Sequence, residues 1–365
     1  MKYRITAIIL GIIFLLFSFF MLAIKDKPAT PQYDDIIKTT NDEGKEIRRD
    51  YVDSKKRPVT LTEGYSAYTL EYDSKGRPYK VTYLDKNGEP VKIASGYTIV
   101  LRFFDDADRI ETEWYYDADR NPVMTTGGYY GVYFGRDENG RAQLTKFLDK
   151  DGYPVITKMG YAMLSRTYDA NGKITVERYL DQNGNPMALA RGQYGVRYYK
   201  GKSIYIDKDG RDKFELMNFL NNYPVLVFII GGILFIFAVS VEGKWNYVFL
   251  LVYSLFIVYM TLMKRDSVVD RLNLRVFWSY RQFFTNRTLR IEILDNIWMF
   301  IPLGAFLYNT EKSFKVLFIP VLVSILIEIT QFVFGIGLCE IDDIISNGLG
   351  GIMGIIFSLL YNKRD

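Results

Sequence analysis

Histidine is absent from all 365 residues, and cysteine occurs once, as Cys339. Without an imidazole there is no Ser-His-Asp or Cys-His catalysis and no histidine-ligated metal site. A single cysteine cannot close an intramolecular disulfide. Acidic neighbours at Glu340, Asp342 and Asp343 would hold its thiol protonated, so it reads as a bystander and not a nucleophile. The formal charge is only +4, on 46 basic and 42 acidic side chains, too mild a balance to suggest a nucleic-acid partner. What the chain does have is segregation: apolar runs lie at both ends, and the middle is polar and aromatic.

Ile5 to Ile24 is a run without charge, preceded by Lys2 and Arg4. It is long enough to span roughly 30 Å of hydrocarbon. No small-x-small cleavage site precedes Lys25, so the run reads as an anchor, with a cleaved signal peptide as the competing reading. Further apolar segments fall at Pro224–Val241, Trp245–Met263, Ile293–Asn309, Phe314–Gly335 and Ile344–Tyr361. Six spans place both termini on one side. Basic residues at Lys2 and Arg4, Lys312 and Lys315, and Lys363 and Arg364 mark that side as cytoplasmic. The segment Lys264–Arg290 opposes this topology, because it is basic yet is placed outside. Its aromatic residues among arginines suggest a stretch lying in the headgroup layer.

Between the apolar ends the sequence repeats. Glycine recurs at Gly64, Gly96, Gly128, Gly160 and Gly192, and proline at Pro58, Pro90, Pro122, Pro154 and Pro186. Aspartate keeps the same 32-residue step at Asp53, Asp85, Asp117, Asp149 and Asp181. Each unit carries two turn signals, one like Tyr72–Gly76 and one like Tyr83–Pro90, with aromatic and β-branched stretches between them. The expected unit is a pair of β-hairpins that buries its apolar face only by stacking on its neighbours. The aspartates of Asp149–Gly152 and Asp207–Gly210 resemble fragments of a calcium loop, but the closing glutamate is missing and turn chemistry accounts for them. The repeated aromatics fit either inter-repeat packing or a glycan-binding surface.

The expected organisation is an anchor and linker over 1–31, a β-hairpin repeat domain over 32–213, a linker with the second span over 214–241, and four further spans over 242–365. The fold class is mixed: an all-β hairpin repeat array with a 32-residue period, and an α-helical polytopic membrane domain.

Polar groups inside the last four spans are costly and therefore informative. One span opens Asp295-Asn296 and continues through Phe300, Pro302 and Gly304. The next carries Ser324, Glu328 and Gln331 on one helical face. Glu340, Asp342, Asp343, Asn347, Gly350, Gly351 and Gly354 follow. The ordered set resembles the VanZ-like family over about Trp245 to Tyr361: Asn-x3-Phe-x-Pro-x-Gly, then Glu-x2-Gln, then an acidic stretch leading to Asn-x-x-Gly. Leu272-Asn273-Leu274 is similar to the family's Asn-Leu element. The chain departs from many members at Leu338, where they carry arginine, and at Gly348.

Two readings of these groups stay open. In one, Asn296, Glu328, Gln331, Glu340, Asp342, Asp343 and Asn347 form a polar pocket at the outer leaflet, with Asp342–Asn347 in the turn between two spans. In the other they satisfy one another, Glu328 and Gln331 bonding Asn296 and Asn347 while Asp342 and Asp343 are solvated at a helix N-terminus. Pro302, Gly304, Gly350, Gly351 and Gly354 serve helix packing in either case. The resemblance implies a membrane protein associated with reduced susceptibility to the lipoglycopeptide teicoplanin, and the physical reading compatible with it is a non-catalytic protein of the bacterial envelope, with no metal or cofactor expected, whose polar pocket binds a lipid headgroup or lipid-like ligand. Its expected partners are membrane lipids, lipid-linked wall precursors or lipoglycopeptides, and not nucleic acid. Two alternatives remain: a magnesium-dependent enzyme acting on a lipid diphosphate through the clustered carboxylates, and an anchored wall- or glycan-binding repeat protein.

Overall fold

The computed structural model describes residues 2–28, 31–263 and 272–363. The basic residues expected at Lys264, Arg265, Arg271 and Arg364 lie outside them. The chain divides into two units: residues 30–213, and a helical unit made of residues 1–29 and 214–365.

The first unit is one twelve-stranded antiparallel sheet in sequential order, from Asp35–Thr40 to Lys202–Ile206. In a typical repeat, Ala67–Tyr72 pairs with Pro78–Leu84, and that strand pairs with Ile99–Phe104 of the next repeat. The turn residues act as the sequence suggests. Asp73 Oδ1 accepts from the N–H groups of Lys75 and Arg77, its Oδ2 accepts from Arg77 Nε at 2.7 Å, and Gly76 sits at φ +79°. These bonds hold the Asp73 carboxyl below the usual carboxylate range, the backbone bond from Arg77 being the largest cause. Asp149 and Asp207 make the same backbone bonds at 2.8–2.9 Å, so the calcium-like fragments are turns.

The second hairpin of each unit is smaller than expected. It is reduced to isolated bridges such as Leu84 to Pro90 and Leu148 to Pro154. Proline takes the non-hydrogen-bonded position of the bridge, where Asp85 N donates to Glu89 O and Val91 N to Tyr83 O on either side of it, so its missing N–H leaves no bond unmade. Aromatic rings join the repeats into a ladder through Tyr65, Tyr83, Tyr97, Tyr115, Tyr129, Phe147, Tyr161 and Tyr179, with successive centroids 4.5–6.0 Å apart. Val81, Val100, Val132 and Leu164 fill the space beside it. The repeating aromatics are therefore core, the cross-strand packing that a single-layer sheet needs.

The second unit is helical: α1 (Lys2–Ala23), α2 (Leu216–Asn222), α3 (Pro224–Ser240), α4 (Lys244–Leu262), α5 (Trp278–Arg281), α6 (Arg287–Glu311), α7 (Ile319–Phe334) and α8 (Ile341–Asn362). A 3₁₀ turn, Phe314–Phe318, leads into α7. Among the described residues five helices are long and apolar enough to cross a membrane, and a sixth crossing exists if α2 and α3, bent by 103°, count as one. The chain is thus a membrane protein with a β-repeat domain.

Helix α6 is the axis of this unit. Leu294, Trp298, Phe300, Ile301, Ala305 and Phe306 are all buried along it. It starts at Arg287, six residues before the expected Ile293, because Asn286 caps it by accepting from the N–H groups of Thr288 and Leu289. Helix α8 lies directly against it. A Cβ on Gly350 would stand 2.2 Å from the Ile297 carbonyl oxygen, one on Gly354 2.0 Å from that of Ile301, and one on Gly304 2.0 Å from that of Gly351. Only glycine permits backbones this close. Pro302 interrupts the α6 ladder, and beside the break Tyr253 donates to Met299 O at 2.8 Å.

Candidate functional site in the helical unit

One end of the helical unit gathers the C-termini of α1, α4 and α7 with the N-termini of α6 and α8. Arg290, fully buried, closes α1: its guanidinium donates to Met21 O, Ile24 O and Phe283 O at 2.7–2.9 Å and pairs with Asp26 at 3.1 Å. A cation on the last carbonyls of a helix is favoured by the helix dipole. Arg290 had been counted among the basic residues of the segment that opposes the expected orientation. It is an internal cap and contributes no free positive surface. At the opposite end, Arg4 stacks over Tyr361 at 5.1 Å and Lys363 over Tyr3 at 4.5 Å.

The motif residues meet at the first end. Helix α8 begins at Ile341, so Asp342, Asp343, Ser346 and Asn347 occupy its first two turns and not the preceding loop. Asp342 is buried rather than solvated. Its Oδ1 accepts from Phe277 N at 2.6 Å, and its Oδ2 accepts from Ser279 N at 2.8 Å and Ser279 Oγ at 2.7 Å. Tyr280 and Ser346 share a hydrogen bond at 2.7 Å, and Ser346 donates onward to Asp342 O. Together these bonds fasten α5 to the head of α8.

Leu272-Asn273 and Cys339-Glu340 pair as a two-residue parallel bridge, and Asn273 Nδ2 donates to Glu340 Oε1 at 3.2 Å. The backbone N–H of Glu340 donates to Glu328 Oε2 at 2.9 Å. Asn296 donates to Asp343 Oδ1 at 2.9 Å, Asn347 to Ser324 Oγ at 2.9 Å, and Gln331 to Thr261 O at 3.0 Å. The specific pairs expected from the sequence, Glu328 and Gln331 with Asn296 and Asn347, do not form. Each group has found a different partner, backbone atoms for Glu328 and Gln331 and side chains for Asn296 and Asn347. Burial, then the charge of Asp343, pushes the Glu340 carboxyl up to about 7. The Cys339 thiol is raised first by burial, then by Glu328 and Glu340.

The open space lies beside this network. A cleft of about 290 Å³, at the small end of ligand-binding cavities, is bounded by α2, α3, α4 and α6. Leu220, Val227, Leu234, Phe256, Met260 and Met299 give it an apolar wall. Asn221, Thr261, Asp295 and Asn296 supply polar groups, and among the described residues no lysine or arginine lines it. Asn296 thus touches both the network and the cleft. Asp295 Oδ1 and Asn347 Oδ1 are both buried without a hydrogen-bond partner among the described residues. Sequence reasoning passed over Asp295 as the opening of a motif, although a carboxylate within a membrane helix was the available signal. It also missed Ser279, Tyr280 and Thr261, whose residue types carry no such signal. Among the described residues no group of three or more Cys, Asp or Glu side chains gathers as a metal site would require.

A polytopic helical domain tied at one end by a buried carboxylate-amide network is the class that this site defines. Residues 248–362 match the sequence model of the VanZ/LLP1 family. Protein VanZ of Enterococcus faecium is 40% identical over 77 residues, which is 20% of this chain and 47% of that protein. The chain thus spans about half the length of the curated relative it matches. In its C-terminal region the protein is VanZ-like.

Proposed function

We propose that the protein acts in the bacterial envelope without catalysing a reaction, its VanZ-like domain binding a lipid or lipid-like ligand at the motif-bearing end and lowering susceptibility to lipoglycopeptides such as teicoplanin. The observation that carries the reading is the cleft bordered by Asn296, a motif residue of α6 in the region that matches the VanZ/LLP1 family, with α2 and α3 adding the rest of its wall from outside that region. An apolar wall with a few polar groups at one edge suits an amphiphile. The carboxylates of the motifs accept from protein donors, which leaves them poorly placed to hold a metal or act on substrate. In this reading the motif-bearing end faces out of the cell, since Lys2, Arg4, Lys312, Lys315 and Lys363 belong to the other helix ends. The association with teicoplanin is the one the family resemblance implies.

The test is deletion of the gene in a host where teicoplanin is effective, with complementation by the wild-type gene. The expected result is a several-fold fall in the inhibitory concentration on deletion, restored by complementation. An unchanged inhibitory concentration, with the protein present in wild-type membranes, would overturn the proposal.

A further inference from the structure

Helices α3 and α4 form a hairpin that opens toward the motif-bearing end. Beside their connection, residues 241–243, they touch through Phe237 and Phe249, whose ring centroids are 4.8 Å apart. Further on, each rests on α6 by itself. A Cβ on Gly231 would stand 2.9 Å from the Trp298 ring, and Tyr253 donates to Met299 O at 2.8 Å. The cleft fills the gap between the two helices, with Trp298 and Met299 of α6 as its floor. Its rims are exposed: Ile230 of α3 by 41% and Phe256 of α4 by 36%. These rims continue an exposed apolar belt, Ile229 and Ile233 on α3 and Leu251, Val252 and Leu255 on α4. Helix α4 is long and apolar enough to cross a membrane, and so is α3 when taken with α2. Hydrocarbon covers such a belt, so the mouth between the rims opens on lipid chains.

The cleft is also polarised along its depth. Its polar residues Asn221, Thr261, Asp295 and Asn296 lie toward the motif-bearing end, and Leu234, Phe256 and Met299 lie deeper. From Thr261 down to Tyr253 the wall of α4 runs about 12 Å, at 1.5 Å per residue. An apolar slot left unfilled forfeits van der Waals contacts along its lining, and a hydrocarbon chain restores them.

We propose that one acyl chain of a bilayer lipid enters this cleft sideways, between α3 and α4, and lies on Trp298 and Met299 with the lipid's polar part toward the motif-bearing end. The inference rests on the lipid-ligand reading above and deepens it: the ligand comes from the surrounding bilayer, and its chain is what the protein holds. Helix α2, bent by 103° from α3, walls the motif-bearing end of the cleft through Leu216 and Leu220, which favours entry from the side.

The experiment uses the full-length protein in phosphatidylcholine vesicles, a small fraction of whose lipid carries a photoactivatable diazirine on one acyl chain. After irradiation, labelled residues are mapped by mass spectrometry. Label is expected on the belt residues Leu251 and Leu255, which any surrounding lipid meets, and also on Trp298 and Met299 at the floor. Ile230→Trp, which narrows the mouth, should reduce floor labelling several-fold and leave the belt unchanged. Leu234→Trp, which fills the deep end, should do the same. Label on the belt with none on the floor would overturn the proposal, as would floor labelling that neither variant reduces. If Leu234→Trp does not fold, the wild-type pattern and Ile230→Trp, a change on the exposed rim, decide. A second arm supplies the diazirine on free stearic acid: floor labelling by the free acid alone assigns the cleft to a soluble amphiphile and contradicts the bilayer source. Floor labelling without a teicoplanin phenotype sinks the resistance reading alone. A teicoplanin phenotype without floor labelling sinks this inference alone.

Discussion

Asp342 Oδ2 accepts both the backbone N–H and the hydroxyl of Ser279, at 2.8 and 2.7 Å. One side chain at the head of α8 therefore holds a segment more than sixty residues earlier in the chain. Replacing Asp342 with alanine strands the N–H groups of Phe277 and Ser279 as well as the hydroxyl, and should cost about 3 kcal/mol or more. Ser279→Ala removes one bond of the set and should cost about 1 kcal/mol. Thermal unfolding in micelles checks the ranking; equal midpoints for the two variants would show that the carboxylate is not the fastener.

The α6–α8 contact predicts a steeper response at Gly354 than at neighbouring small residues. A methyl there would need to displace the Ile301 carbonyl from 2.0 Å. Gly354→Ala should destabilise the helical unit by about 2 kcal/mol through separation of the two helices. Ser358, which bonds Asn309 on α6 one turn further along, should tolerate alanine with a loss of about 1 kcal/mol. Unfolding midpoints of the two variants give the comparison.

Much of this was legible in the sequence, and the reason differs by region. In the repeats, aspartate, glycine and proline each have a local job: a turn bond, a positive φ, or a bridge position that needs no N–H. Their period therefore maps directly onto the sheet. In the helical unit, apolar length marked the spans and Gly350 and Gly354 marked close packing. The partners of Glu328, Gln331 and Asp342 were not legible, because they are backbone atoms of Glu340, Thr261, Phe277 and Ser279. Backbone donors and acceptors leave no trace in residue type. Arg290 was misread for a related reason, since its role as the cap of α1 depends on tertiary proximity to Met21 and Ile24.

Glu340 makes the stability of the helical unit depend on pH. Its folded-state carboxyl titrates near 7, against an ordinary value of 4.5, with burial the main cause. Between those two values the folded chain keeps a proton that the unfolded chain has released. Stability contributed by this group should fall as pH rises from about 4.5 through about 7. Glu340→Gln should flatten that part of the profile, as read from unfolding midpoints between pH 5 and 8. A profile as steep in the variant as in the wild type would place the titration elsewhere.

Tyr115 lies within the aromatic ladder of the sheet, between Tyr97 at 4.5 Å and Tyr129 at 5.9 Å. Tyr115→Ala should cost about 3 kcal/mol. Because each repeat leans on its neighbours, lost hydrogen-exchange protection should extend into the flanking repeats on both sides. Loss confined to the strand Ile110–Tyr116 would show that the repeats are stabilised independently.

The functional account depends on the motif-bearing end of the helical unit facing out of the cell, and α6 alone can test it. In a Cys339→Ser background, single cysteines replace Thr288 at the start of the helix or Glu311 at its end, and intact cells are treated with a membrane-impermeant maleimide. The account predicts labelling at position 288 and protection at position 311 until the cells are opened. Labelling at 311 with protection at 288 would put the motifs and the cleft in the cytoplasm and contradict the envelope-facing function.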